Sequence, residues 1–190
     1  VKHVLGTAQA RQFIHQFALR IRKMLPAGAL CCRDREDLFI IAFDGIYAEK
    51  DVAWYSALIA SVFRMSTSDM PGESHIFTGH IGMLIESLTP ENISECLMNV
   101  SLALQHAQMQ RSGMSKLFTV AMREEEVNNL RLHQALCDDL RSEGFHLVMQ
   151  PIVAFESQRP CKEGECLVRW QSNVLGFVPP DKFISLAENT

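Results

Sequence analysis

The sequence predicts an α/β protein built in two parts, and three observations carry that prediction. Amphipathic helical stretches alternate with short apolar strands as far as residue 122. Composition then shifts to a highly charged helical stretch. After that stretch begins, the order of elements becomes helix, strand, strand, helix.

The first helix is expected from Arg11 to Met24, where Phe13, Ile14, Phe17, Leu19, Ile21 and Met24 make a broad apolar stripe. Pro26 and Gly28 end it. Five charges follow in RDRED, Arg33 to Asp37, directly before an apolar strand over Phe39–Phe43 that Asp44-Gly45 closes. A second helix is expected over Asp51–Met65, with Val52, Tyr55, Leu58, Ile59, Val62 and Phe63 inward. STSDMPGES is a polar loop, and Ile76–Ile85 is a strand interrupted by Gly79 and Gly82. Thr89-Pro90-Glu91 signals a helix start, with a capping hydroxyl, Pro in the first turn and acid near the positive end of the dipole. That helix runs to Gly113, and Leu117–Met122 reads as a short strand.

The charged stretch from Arg123 to Glu143 is read as a solvated helix joining the two parts. Its apolar spacing would also allow a short coiled-coil seam of about three heptads. Apolar strands follow in FHLVMQPIVAF and CLVRW, separated by a polar, hairpin-like stretch. FVPPDKFISLAENT starts an amphipathic helix with Phe183, Ile184, Leu186 and Ala187 on one face. No later segment is there to cover that face, so the second part is expected to be cut short.

With 47% hydrophobic and 21% charged residues the chain is far from the composition of disorder. A net charge of −4 argues against a broad nucleic-acid footprint, while leaving room for a local basic patch. No apolar run reaches membrane-spanning length and no signal-peptide pattern opens the chain, so these residues are expected to be cytoplasmic. An anchor upstream of them is compatible with that. The six cysteines have irregular spacing and read as reduced thiols; Cys161 and Cys166 flank KEGE but lack the second close pair a structural zinc site needs.

Three linked motifs, FHLVMQPIV, ECLVRW and GFVPPDKFISLAENT, resemble the opening quarter of an EAL domain, the fold that linearises cyclic di-GMP. The Glu-Ala-Leu motif stands here as Glu165-Cys166-Leu167. GMLIESLTPENISECLMNVSLALQHAQMQRSG resembles the late strand and helix of a GGDEF domain, the diguanylate cyclase fold that often precedes EAL. The resemblance implies a tandem: residues 1–122 as a GGDEF-like α+β domain lacking its first strand, 123–143 as linker and first EAL helix, and 144–190 as the truncated start of an EAL-type (β/α)8 barrel.

In that alignment Arg35, Glu36, Asp37, Leu38 and Phe39 occupy the signature turn. Paired glycines there would let the backbone approach a nucleotide; Arg35 and Glu36 fill that space. Leu38 has no oxygen for a divalent metal, which leaves Asp37 as the ligand candidate. The strand expected to bring another acid precedes Val1. The inhibitory Arg-x-x-Asp position falls on Pro26–Ala29, and late-helix Asp and Lys positions are Ser101 and Gln108. The resemblance therefore implies a GGDEF-like domain without cyclase activity and a relic signature turn, with contact of Arg33 and Arg35 to a protein or RNA partner as the alternative.

For the EAL-like part the resemblance implies Glu165 as a ligand to Mg²⁺ or Mn²⁺ at the C-terminal end of a barrel strand. It implies Arg169 on substrate phosphate, Gln150 on guanine or phosphate, and Leu167 and Pro180 along the ligand groove. An Arg169 merely stacked on Trp170 is the alternative. The complete protein would hydrolyse cyclic di-GMP, or bind it without hydrolysis as an adaptor, and could form a homodimer. The 190 residues alone do not hold a complete catalytic set.

Overall fold

In the computed structural model, residues 2–45, 48–64, 79–110, 114–153 and 163–188 are described. The polar STSDMPGES loop, the 76–78 part of the expected strand, and residues 154–162, Cys161 among them, lie outside them. The chain divides into two compact units, residues 1–122 and 123–190.

In the first unit, helix α1 covers Lys2–Met24, and α2 covers Glu49–Arg64. Helix α1 starts well before the expected Arg11 because VKHVLGTAQA contains helix-forming Lys, Ala and Gln without a wide apolar stripe. Ile14, Phe17 and Ile21 are buried at spacings of three and four, as expected. Leu19 is the exception: it lies on the opposite side of that stripe and is 40% exposed. Phe17, Ile21 and Val62 form a buried cluster against Met24, Leu25, Phe39, Ile41 and Phe63. The Phe17 ring lies 4.7 Å from Phe63 and 5.5 Å from Phe39, so the hairpin strand is tied to both helices by aromatic packing.

That hairpin pairs β1 (Leu30–Arg33) with β2 (Phe39–Ala42) antiparallel, Arg33 opposite Phe39. A second pair joins β3 (Ile81–Met83) and β4 (Ser115–Leu117) in parallel, with helix α3 (Ile93–Gln108) as the crossover. Before α3, Thr89 and Asn92 cap each other: Asn92 N–H donates to Thr89 Oγ1, and Thr89 N–H to Asn92 Oδ1. The regular helix thus begins one turn after the expected Thr89-Pro90-Glu91 signal.

Helix α3 turns Cys96, Asn99, Ala103 and Ala107 inward, the two alanines with no exposed surface. Small side chains are needed because β3 lies directly on the helix backbone. A Cβ at Gly82 would collide with the Val100 carbonyl oxygen and the Leu104 amide nitrogen. Residues 117–122 are a correction. Strand β4 ends at Leu117, Phe118 N–H closes on the Met83 carbonyl, and α4 begins at Val120. The apolar run that read as a strand is the first turn of a helix.

In the second unit, α4 (Val120–Asp139) ends four residues earlier than Glu143, and residues 140–144 make a turn into β5 (Phe145–Ile152). Strand β5 pairs with β6 (Glu163–Ser172), which pairs with β7 (Gly176–Val178). Both pairings are antiparallel. Antiparallel pairing of β5 with β6 agrees with the hairpin-like sequence expected between them. Strand β7 was not anticipated; Gly176, at φ 73°, permits the tight return, and Ser172 Oγ accepts the Val174 and Leu175 amides.

Helix α5 (Pro180–Glu188) finds its partner upstream in sequence. Phe183 packs edge-on to Trp170 at 5.4 Å, and Phe145 stacks on Trp170 at 5.5 Å. Ala135, Leu136, Trp170, Val178 and Phe183 form the buried cluster, with Leu132, Phe145, Val168 and Leu186 around it. The apolar face of the last helix is therefore partly used, with Ile184 left 39% exposed. Trp170 is fully enclosed, and its indole N–H donates to Asp139 Oδ2 at 2.9 Å. Hydrogen bonds from the Ser172 hydroxyl and then Trp170 hold the Asp139 carboxyl below its usual range. No helix among the described residues is long and apolar enough to cross a membrane.

Gly82→Ala is expected to destabilise the first unit by about 3 kcal/mol, because the added methyl meets helix backbone that no rotamer change can clear. Thermal unfolding measures it, and an unchanged midpoint would contradict the close approach. Asp139 gives a pH prediction. Its depressed pKa makes its stabilisation fully present above the ordinary carboxyl range and lost as pH falls through the depressed value. In a Trp54→Phe background, acid titration of Trp170 emission should show this loss. Asp139→Asn should lower the midpoint at pH 7 by several degrees and flatten the acid dependence.

Candidate functional site

Two places carry residues singled out by the sequence, and they lie in different units. In the first unit, RDREDLF is the connection of the β1–β2 hairpin. Asp34 N–H donates to the Leu38 carbonyl at 3.0 Å, and Leu38 N–H donates to Arg35 at 3.4 Å. Arg33 reaches over this turn. Its Nε donates to the Arg35 carbonyl at 3.0 Å, and its Nη2 donates to the Glu36 carbonyl at 2.6 Å. No non-glycine residue among those described has positive φ, so Arg35 and Glu36 sit in ordinary backbone conformations.

The turn is thus closed by an arginine side chain rather than by glycine flexibility. Arg33 is exposed and engaged with the carbonyls of its own hairpin. Arg35 is exposed and pairs with Asp34 at 3.4 Å. Asp37 is exposed, Leu38 is half-buried, and Phe39 belongs to the α1–α2 packing.

In the second unit the candidate residues come together on one sheet face. The register sets Gln150 opposite Glu165, Val148 opposite Leu167, and His146 opposite Arg169. Residues directly opposite share a face, and so do residues two apart on one strand. Gln150, Glu165, Leu167 and Arg169 therefore line the same side of β5–β6. Val168 and Trp170 occupy the other side, which faces the core. Glu165 is exposed and Arg169 half-buried, with its Nη1 donating to the Val168 carbonyl at 2.9 Å. Because Arg169 and Trp170 point to opposite faces, stacking on Trp170 does not explain this arginine. Pro180 opens α5 and is half-buried, with no register that brings it to this face.

The strand position of Glu165 is a correction. It is the third residue of β6 and faces Gln150 near the end of β5, rather than lying at a strand's C-terminal end. The antiparallel pairing is the physical reason: it brings the end of one strand to the start of the next. Glu163, His146, Val148, Ile152 and Gln171 lie on the same face and were not singled out from the sequence. Their two-residue alternation was legible, but the cross-strand register that unites them was not.

These residues do not by themselves fit a hard divalent cation. Such ions take about six oxygen ligands, whereas this face offers the carboxylates of Glu163 and Glu165 and the Gln150 amide. No group of three or more His, Cys, Asp or Glu side chains able to hold a metal occurs among the described residues. What the face can do is present an acceptor, an amide and a guanidinium beside apolar Val148 and Leu167, a set suited to a phosphate-bearing ligand.

A scan of protein families finds no match. Similarity to individual proteins is extensive. Cyclic di-GMP phosphodiesterase NbdA of Pseudomonas aeruginosa is 27% identical over 188 residues, covering 97% of this chain and 23% of that protein. Cyclic di-GMP phosphodiesterase PA2567 of the same organism is 50% identical over 48 residues, covering 25% of this chain and 8% of that protein. This chain spans about a quarter of the length of the curated relatives it matches end to end. Among solved structures, the GGDEF domain of TpbB (YfiN) from P. aeruginosa superimposes with a TM-score of 0.52 at 20% identity, covering 65% of this chain and 72% of that one. An EAL/GGDEF domain protein from M. capsulatus gives 0.51 at 18%, covering 62% and 76%. The chain is an α/β protein with GGDEF-type structural neighbours, and along nearly its whole length it is similar to a protein described as a cyclic di-GMP phosphodiesterase.

Proposed function

We infer that these residues are part of a bacterial cyclic di-GMP signalling protein in which a catalytically silent GGDEF-like unit regulates an EAL-like phosphodiesterase. The observation carrying this reading is the shared face of Gln150, Glu165, Leu167 and Arg169, turned away from the Trp170 core. Arg169 would bind a substrate phosphate and Gln150 a guanine or phosphate edge, with Leu167 and Pro180 along the groove. Glu165 would give one carboxylate to Mg²⁺ or Mn²⁺ in the longer protein, the other ligands coming from further chain. For the first unit, the support is the turn itself. Arg33 donates to the Arg35 and Glu36 carbonyls, Arg35 and Glu36 carry side chains where glycines would leave room, and the Leu38 side chain supplies no oxygen, a turn unsuited to cradling a nucleotide phosphate.

A second reading is a non-enzymatic adaptor that binds cyclic di-GMP, protein or RNA. The small acidic content of the β5–β6 face favours it, because binding needs Arg169 and Gln150 but not a metal site. The two readings part on one assay in the full-length protein: Mg²⁺-dependent conversion of cyclic di-GMP to the linear dinucleotide. Under the first reading, Glu165→Gln lowers turnover by about 100-fold or more while leaving thermal stability unchanged. Arg169→Ala weakens ligand binding by roughly tenfold. Saturable binding without turnover, still weakened by Arg169→Ala, would replace the enzyme with the adaptor.

A further inference from the structure

Helix α4 carries two stripes, and the candidate site uses neither. Leu132, Ala135, Leu136 and Asp139 face the core of the second unit. Away from them run Leu130, His133 and Cys137, with Leu140 in the turn directly after the helix, at successive spacings of three, four and three, the pattern by which two helices mate along a seam. Leu130 is 62% exposed and Leu140 67%, an outlay of apolar surface on an otherwise charged stretch. Between them, one turn apart, His133 Nδ1 lies 3.9 Å from Cys137 Sγ, and both side chains are half-buried.

An imidazole nitrogen and a thiolate are donors that zinc prefers and that hard ions such as Mg²⁺ do not. Tetrahedral zinc, with Zn–N near 2.0–2.1 Å and Zn–S near 2.3 Å, would hold those two atoms about 3.6 Å apart. A few tenths of an ångström of side-chain rotation closes the pair into that bite. One chain supplies two such donors here, and zinc takes four. A second copy related by a two-fold axis would supply the same two, in the same geometry, and would cover Leu130 and Leu140 with their own counterparts. We propose that His133 and Cys137 from each of two copies bind one zinc ion and thereby join two chains through their α4 helices. Zinc binding is coupled to loss of the Cys137 thiol proton, which passes to solvent as the Zn–S bond forms. This inference is independent of the reading of the β5–β6 face.

The test is titration of the metal-stripped 190-residue chain with Co²⁺ as a spectroscopic stand-in, followed by Zn²⁺ displacement, with mass measured by sedimentation. Expected are cobalt–thiolate absorption saturating at about one ion per two chains, a doubling of mass that a chelator reverses, and loss of both in the variants. His133→Ala and Cys137→Ser should each weaken uptake by roughly tenfold or more, His133→Cys should restore it, and Cys166→Ser should leave it unchanged. Circular dichroism of each variant checks that α4 persists. No uptake, uptake that survives both substitutions, or one ion per monomer without dimerisation would each overturn the proposal.

Discussion

Burial of Trp170 is the constraint on which the second unit turns. Its ring is enclosed by Phe145 and Phe183, and its N–H is satisfied by Asp139 at the end of α4. An indole placed there without its acceptor would bury an unpaired donor. Once Trp170 faces the core, the two-residue period of β6 leaves Glu165, Leu167 and Arg169 no choice of side. A slip of one residue would bury the arginine and expose the tryptophan. At the end of α4, Ser142 N–H and Oγ donate to the Asp139 carbonyl, and the same hydroxyl reaches the carboxylate that holds Trp170. Strand facing and candidate ligand face are therefore consequences of one packed aromatic and its hydrogen bond.

The first unit rests on a different economy, that of close backbone approach. Gly82 lies against the backbone of α3, and Ala103 and Ala107 have no exposed surface. Aromatic packing of Phe39 between α1 and α2 holds the β1–β2 hairpin in place without any contribution from the loop at its tip. That separation explains how the charged turn can be accommodated. Arg33 satisfies the Arg35 and Glu36 carbonyls, so the loop needs no left-handed residue and the strand behind it keeps its packing. A fold stabilised by its layers tolerates wide variation in a loop that only chemistry would constrain.

Sequence similarity singled out residues, and the geometry of β5–β6 decides which of them share a face. The relatives are matched in sequence, while the face emerges from strand register and burial. Antiparallel pairing brings Gln150 across from Glu165 although fifteen positions separate them in the chain. It also concentrates polar groups beside Val148 and Leu167, giving a ligand both a charged and an apolar surface. The outward stripe of α4 is a separate resource, where polar donors replace leucine at the middle of a helix seam.

Local chemistry was legible from the residues alone. The stripe of Ile14, Phe17 and Ile21, the stop at Pro26, the Asp44-Gly45 turn and the strand Phe39–Ala42 follow from periodicity and backbone preference, which act over a few residues. So did the identity of Gln150, Glu165, Leu167 and Arg169 as candidates. Leu19 and the run 117–122 were misread because an apolar residue satisfies more than one period when its neighbours are apolar too. Only the tertiary structure decided that β5 and β6 run antiparallel, that Arg33 folds over its own turn, and that Asp139 holds Trp170. Those depend on which distant segments meet, and pairing free energy between segments leaves no mark in the composition of either one. The residue types were written in the chain; their common face was created by the burial of Trp170.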